Sequence, residues 1–123
     1  MRALVIDDSR TVRLVVGNYL REAGLEVIEA ADGRLGLEQL RQDPTVELVL
    51  VDWNMPVMDG LAFIQAVRAE RQFDPVRVMM VTTEAEQAQV LRALEAGANE
   101  YLMKPFTREI LAAKLSLLDV LGD

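Results

Sequence analysis

The residues that could do chemistry fall in four short stretches. Asp7 and Asp8 adjoin near the start, Asp52 stands mid-chain, Thr82 and Thr83 come later, and Lys104 precedes Pro105. Each comes after a short apolar run. Carboxylates crowded into one pocket repel, and one or more must protonate unless a cation joins them. A hard divalent ion with oxygen ligands relieves that repulsion. Mg2+ is the usual intracellular choice, because it takes one or two carboxylates plus phosphate oxygens and keeps several waters. One carboxylate is then left free to react. Taken singly, each residue has a plainer reading. Asp7 could cap a helix, and so could Thr82 or Thr83. Lys104 could be a surface charge and Pro105 a loop stop. The chemistry therefore rests on what brings the four stretches together.

The elements that would do so alternate regularly. Ala3–Ile6 is a short apolar run that reads as a buried strand. Ser9 can cap a helix with the stripe Val12, Val15, Val16, Tyr19, Leu20 and Ala23, stopped by Gly24. Glu26–Ala30 reads as a second strand, and Asp32-Gly33 opens a helix with Leu37 and Leu40 inside, ended near Pro44. Leu48–Val51 is continuous and apolar, as a strand covered on both faces should be. A loop over Asp52–Asp59 leads to a helix starting at Asp59-Gly60 that carries Leu61, Ile64 and Val67. Val76–Val81 reads as a fourth strand. Thr83-x-x-Glu86 is a capping-box pattern for a helix with Leu91 and Leu94 inside, ended by Gly97. Tyr101–Met103 is a short fifth strand, and Thr107 can cap a final helix to about Leu118. Five strand–helix repeats call for an α/β fold with a parallel sheet between two helix layers. Ligands in such sheets sit at the carboxyl ends of the strands. The acids, the threonines and the lysine all stand at those ends.

Composition removes several functions. The chain of 123 residues reads as one domain spanning 1–123, long enough for a real core. It has no cysteine and no histidine, which excludes thiolate chemistry, histidine metal ligands and serine–histidine triads. The net charge of −7 argues against direct nucleic-acid binding. No apolar run approaches a membrane span, and acid comes too soon after the N-terminus for a signal peptide, so no membrane contact and a cytoplasmic location are expected.

Four blocks then carry a resemblance. They are Val5-Ile6-Asp7-Asp8-Ser9; Val51 through Gly60 (Val-Asp-Trp-Asn-Met-Pro-Val-Met-Asp-Gly); Val81-Thr82-Thr83-Glu84-Ala85; and Gly97 through Phe106, which contains Tyr101 and Lys104-Pro105. In this order and at these strand ends, the chain resembles a response-regulator receiver domain of the single-domain, CheY-like chemotaxis type, over essentially its whole length. The resemblance implies a flavodoxin-like (βα)5 three-layer sandwich whose five parallel strands run in the order 2-1-3-4-5. It implies that Asp52 accepts a phosphoryl group from a sensor histidine kinase in a Mg2+-dependent reaction. Asp7, Asp8, Asp52 and the backbone carbonyl of Asn54 would hold the metal, Asp7 mainly through water. Lys104 would pair with the phosphoryl oxygens and Thr82 would donate its hydroxyl to them. Tyr101 would turn inward as Thr82 moves, and the Lys104–Pro105 bond would be cis. The face made by the fourth helix, fifth strand and fifth helix would then bind a downstream protein. Asn54 and Glu84 flank the path of attacking water, and this pairing resembles the short-lived chemotaxis pattern of seconds to minutes. Gln87 departs from the basic residue typical of motor-docking members. Trp53 beside the acceptor would report metal and phosphorylation by fluorescence. A monomer without an output domain is expected, acting as a signalling switch that catalyses only its own phosphorylation and dephosphorylation.

Other readings meet obstacles. An aspartyl-phosphate phosphatase of the haloacid dehalogenase type needs a second acid two residues after the nucleophile, where Asn54 stands. A flavodoxin-like cofactor binder needs a phosphate-cradling loop after the first strand, where Asp7-Asp8-Ser9-Arg10 would repel phosphate. Within the receiver reading, a phosphate sink or relay and a receiver from a larger regulator remain alternatives to a chemotaxis output protein.

Overall fold

The computed structural model describes residues 1–118, with the side chain of Glu84 outside that description. The strands are β1 (Arg2–Ile6), β2 (Glu26–Ala30), β3 (Val46–Asp52), β4 (Arg77–Thr83) and β5 (Glu100–Lys104). They form one parallel sheet in the order β2-β1-β3-β4-β5. The helices are α1 (Arg10–Glu22), α2 (Gly33–Gln42), α3 (Gly60–Ala69), α4 (Val90–Ala96) and α5 (Arg108–Leu117), with short 3₁₀ turns at Arg71–Phe73 and Glu84–Gln89.

Strand residues alternate between faces, and this divides the interior into two cores. Leu4, Ile6, Val49, Val51, Val78 and Met80 pack under α2, α3 and α4, where Leu37, Phe63 and Ala93 meet them. Ala3, Val5, Leu48, Leu50, Met79 and Val81 pack under α1 and α5 with Val16, Leu20, Leu111 and Leu115. The central strands are apolar on both sides because both sides are covered.

The caps expected at Ser9 and Thr107 form, and Asp32 and Asp59 cap as well. The side chains of Ser9, Asp32, Asp59 and Thr107 each accept from an amide in the first turn of their helix. Gly24 has φ +95°, the left-handed conformation that lets a chain leave a helix without a Cβ clash.

Three sequence expectations need correction. Asp52 is the last residue of β3, paired in register with Val81, rather than the first residue of a loop. Thr83 does open a capping box with Glu86, but the element it caps is a 3₁₀ turn, and α4 begins only at Val90. Three residues per turn instead of 3.6 rotates the register. As a result Ala93 points inward, while Leu91 and Leu94, expected inside, are 64% and 38% exposed. Val15, expected on the inner stripe of α1, is also exposed, because Val16 and Leu20 fill the contact with the sheet. It lines a groove of about 280 Å³ with Tyr19 and Phe106.

Candidate functional site

The site forms where β1, β3, β4 and β5 end at the same edge of the sheet. Parallel pairing aligns these ends. Ile6 pairs with Val51, Asp52 with Val81, and Thr83 with Lys104. The residue after each buried run therefore emerges at one rim. There, a carboxylate oxygen from each of Asp7, Asp8 and Asp52 lies within 4.8 Å of the others. Asp7 and Asp52 are buried, at 3% and 7% exposure, and Asp8 is exposed. The Lys104 ammonium reaches in across β5, 3.2 Å from Asp52 Oδ1 and 3.3 Å from Asp7 Oδ2. The Lys104–Pro105 peptide is cis.

Local structure fixes each acid. Asp7 does not cap α1; Ser9 does. Asp7 Oδ1 instead accepts the Ser9 amide at 2.8 Å, which leaves Oδ2 for Lys104. Arg13, one turn into α1, donates to the Asp7 carbonyl at 2.6 Å, while its Nε donates to Glu29 at 3.0 Å. The turn after Asp52 is held by the Trp53 amide donating to the Val81 carbonyl and by the Gly60 amide donating to the Trp53 carbonyl, each at 2.9 Å. Gly60 is essential to this closure. A Cβ there would stand 2.8 Å from Trp53 Cα and 2.9 Å from the Asp52 carbonyl oxygen, both backbone atoms. Asn54 is exposed in the same turn.

The electrostatics indicate a shortage of positive charge. Burial, then the neighbouring Asp7 carboxylate, push the Asp52 carboxyl up from 3.8 to about 6, and Lys104 offsets only part of this. Burial pulls the Lys104 ammonium down, but Asp52 and Asp7 outweigh it and the net shift is upward. An acid cluster that keeps one buried member so hard to ionise, even beside a lysine, fits a divalent cation. Asp7, Asp8 and Asp52 could hold one through oxygen ligands of the kind Mg2+ prefers.

Thr82 is fully buried, and its hydroxyl donates to the Thr83 carbonyl at 3.2 Å and to Glu86 Oε1 at 3.5 Å. Met80 pairs with Tyr101 and Thr82 with Met103, so Thr82 and Tyr101 share one face of the sheet on adjacent strands. Tyr101 is half-buried beneath the Lys114 ammonium, which stands 4.0 Å from the ring centroid and 3.0 Å from Glu100. Glu84 begins the 3₁₀ turn, and its side chain lies outside the described residues. Gln87 sits in that turn, exposed, rather than on the helix where the sequence suggested it. Sequence reasoning missed Arg13 and did not connect Glu86 to Thr82. An arginine one turn into a helix that starts at the acid pair was the available signal for the first, and the capping-box spacing for the second.

Among the described residues no helix is long and apolar enough to cross a membrane. The response regulator receiver domain model matches residues 3–116. The chemotaxis protein CheY homolog of Campylobacter jejuni is 43% identical over 123 residues, covering 99% of this chain and 93% of that protein. The chemotaxis protein CheY1 of Helicobacter pylori is 41% identical, covering 96% of each. Among solved structures, the chemotaxis response regulator CheY4 of Vibrio cholerae superposes with a TM-score of 0.88 at 36% identity, covering 95% of this chain and 97% of its own. A probable two-component system response regulator/GGDEF domain protein gives a TM-score of 0.92 at 34% identity, covering all of this chain but 51% of that one.

Proposed function

The chain belongs to the response regulator receiver family, whose CheY-like members are signalling switches rather than classical enzymes, and on that premise we propose that Asp52 is its phospho-acceptor and chemotaxis its pathway. A carboxylate oxygen of Asp52 attacks the phosphorus of a phosphohistidine on a sensor kinase. The new O–P bond forms as the P–N bond breaks, and the imidazole nitrogen leaves with the electron pair. Asp7, Asp8, Asp52 and the Asn54 carbonyl would hold a Mg2+ ion, which would supply positive charge against the phosphoryl oxygens.

The chain's own residues do the rest. Lys104 neutralises the growing negative charge from the opposite side. Arg13 and the Ser9 amide keep the Asp7–Asp8 loop in place before any ligand arrives, so little reorganisation accompanies binding. Thr82 turns its hydroxyl to a phosphoryl oxygen, which vacates space for Tyr101. The α4–β5–α5 face then changes shape and a downstream protein binds one state better than the other. The exposed Leu91, Leu94 and Ile110 supply apolar surface on those helices. Asn54 flanks the route of water and helps to set a lifetime of seconds to minutes. The protein acts as a cytoplasmic monomer, without nucleic acid or membrane.

The observation that carries this reading is Lys104 Nζ placed between Asp52 and Asp7, with Asp8 alongside. The test is to incubate the protein with Mg2+ and a small phosphodonor and to weigh it intact. One phosphoryl group is gained, only with Mg2+, and Asp52→Asn gains none. A label that survives that substitution puts the acceptor elsewhere. A second reading, a receiver that works within a longer regulator, is favoured by the likeness to a protein of which this chain covers 51%.

A further inference from the structure

The Thr82 hydroxyl has a single proton to donate, and in this structure two acceptors share it. One is the Thr83 carbonyl at 3.2 Å and the other is Glu86 Oε1 at 3.5 Å. The Glu86 carboxylate is itself anchored, since the same Oε1 accepts the Thr83 amide at 3.0 Å to complete the capping box of the 3₁₀ turn. Thr82 is fully buried, so water cannot replace these partners without opening the turn. Among the described residues no buried side-chain polar atom lacks a partner. A phosphoryl oxygen on Asp52 can take the Thr82 proton only if Thr83 and Glu86 give it up.

We propose that Glu86 is a latch on the switch: a positioning residue that holds the Thr82 hydroxyl in the resting state and so opposes activation. This deepens the proposed function and rests on Thr82 being the group that answers the phosphoryl. Both bonds to Thr82 are longer than the optimum for a hydroxyl donor, so the hold is weak enough to release reversibly.

The experiment measures calorimetrically the affinity of the intact protein for beryllium fluoride, a phosphoryl stand-in, with Mg2+ present. Glu86→Ala is expected to bind about 3- to 10-fold more tightly, the worth of one modest hydrogen bond. Glu86→Gln keeps an acceptor for the Thr83 amide but loses the charge, and should fall between the two. The same pair is repeated on a Thr82→Ala background, where the gain from Glu86→Ala should vanish. Scalar couplings of Thr82 in metal-free protein give a readout independent of any ligand: one χ1 rotamer in the wild type, averaged rotamers in Glu86→Ala. Equal affinity of wild type and Glu86→Ala overturns the latch while leaving the role of Asp52 intact. A gain that persists without the Thr82 hydroxyl also overturns it, in favour of charge alone. Failure of wild type to bind the probe overturns the reading of Asp52 and the latch with it.

Discussion

Replacing Asp52 with asparagine should stabilise the metal-free protein, and should do so only where the wild-type carboxyl is ionised. The folded pKa of about 6 lies above the ordinary 3.8. A carboxyl raised in this way lends its stability below about pH 4, and that contribution is lost as the pH rises through about 6. At about 1.4 kcal/mol per pH unit, the difference between 3.8 and about 6 corresponds to roughly 3 kcal/mol at pH 8. Asparagine removes that penalty but weakens the Lys104 contact, which costs about 1 kcal/mol. A net gain of about 1–2 kcal/mol is expected in urea unfolding at pH 8 with EDTA, shrinking towards zero at pH 4.5. Comparing variant with wild type at each pH cancels the titration of the other acids. Saturating Mg2+ should then reverse the order, because the wild type gains binding energy that the variant loses. An asparagine variant whose difference from wild type is the same at both pH values would falsify the charge-shortage account of this pocket.

The same geometry sets other expectations. Mg2+ should change Trp53 fluorescence, and Asp8→Asn should weaken the apparent affinity by about tenfold or more, read by titration. Lys104→Met should abolish phosphoryl uptake and move the metal-free Asp52 titration further above about 6, seen by carboxyl carbon NMR. Gly60→Ala should cost about 1–3 kcal/mol, because the new Cβ meets backbone rather than a yielding side chain, and should blunt the fluorescence response as the Asp52–Trp53 turn shifts. Arg68→Ala should cost about 2–4 kcal/mol in chemical denaturation while leaving Mg2+ affinity unchanged, since its partners lie at the other end of the strands from the acids.

Much of the fold could be read from the residues because local signals agreed with one another. Ser9 and Thr107 cap as expected, and the continuous apolar run Leu48–Val51 in β3 marked a strand covered on both sides. The gathering of Asp7, Asp8, Asp52 and Lys104 was legible for the same reason, since a parallel sheet aligns the residues that end its strands. What could not be read depended on register within a turn. The capping box at Thr83 announced a helix, yet 3₁₀ geometry delayed it to Val90 and turned Leu91 and Leu94 outward. Nothing in local spacing separates these two geometries over so short a segment. Contacts across the chain were equally invisible, such as Arg13 with Glu29, or Lys114 over the Tyr101 ring.

The guanidinium of Arg68 gives the molecule a fulcrum. It donates to the carbonyls of Phe73, Val76 and Gly97 and to the Asn99 side chain, which in turn accepts the Val78 amide. One cation therefore rivets the end of α3, the entry to β4 and the exit of α4 at the rim of the sheet opposite the acids. Gly97 is locked against it as well, because a Cβ there would fall 2.5 Å from Arg68 Cγ. Were α4 displaced, it would turn about this pinned end rather than slide as a whole helix. The lever arm would then be longest at the turn Glu84–Gln89, the far end of that segment from Gly97.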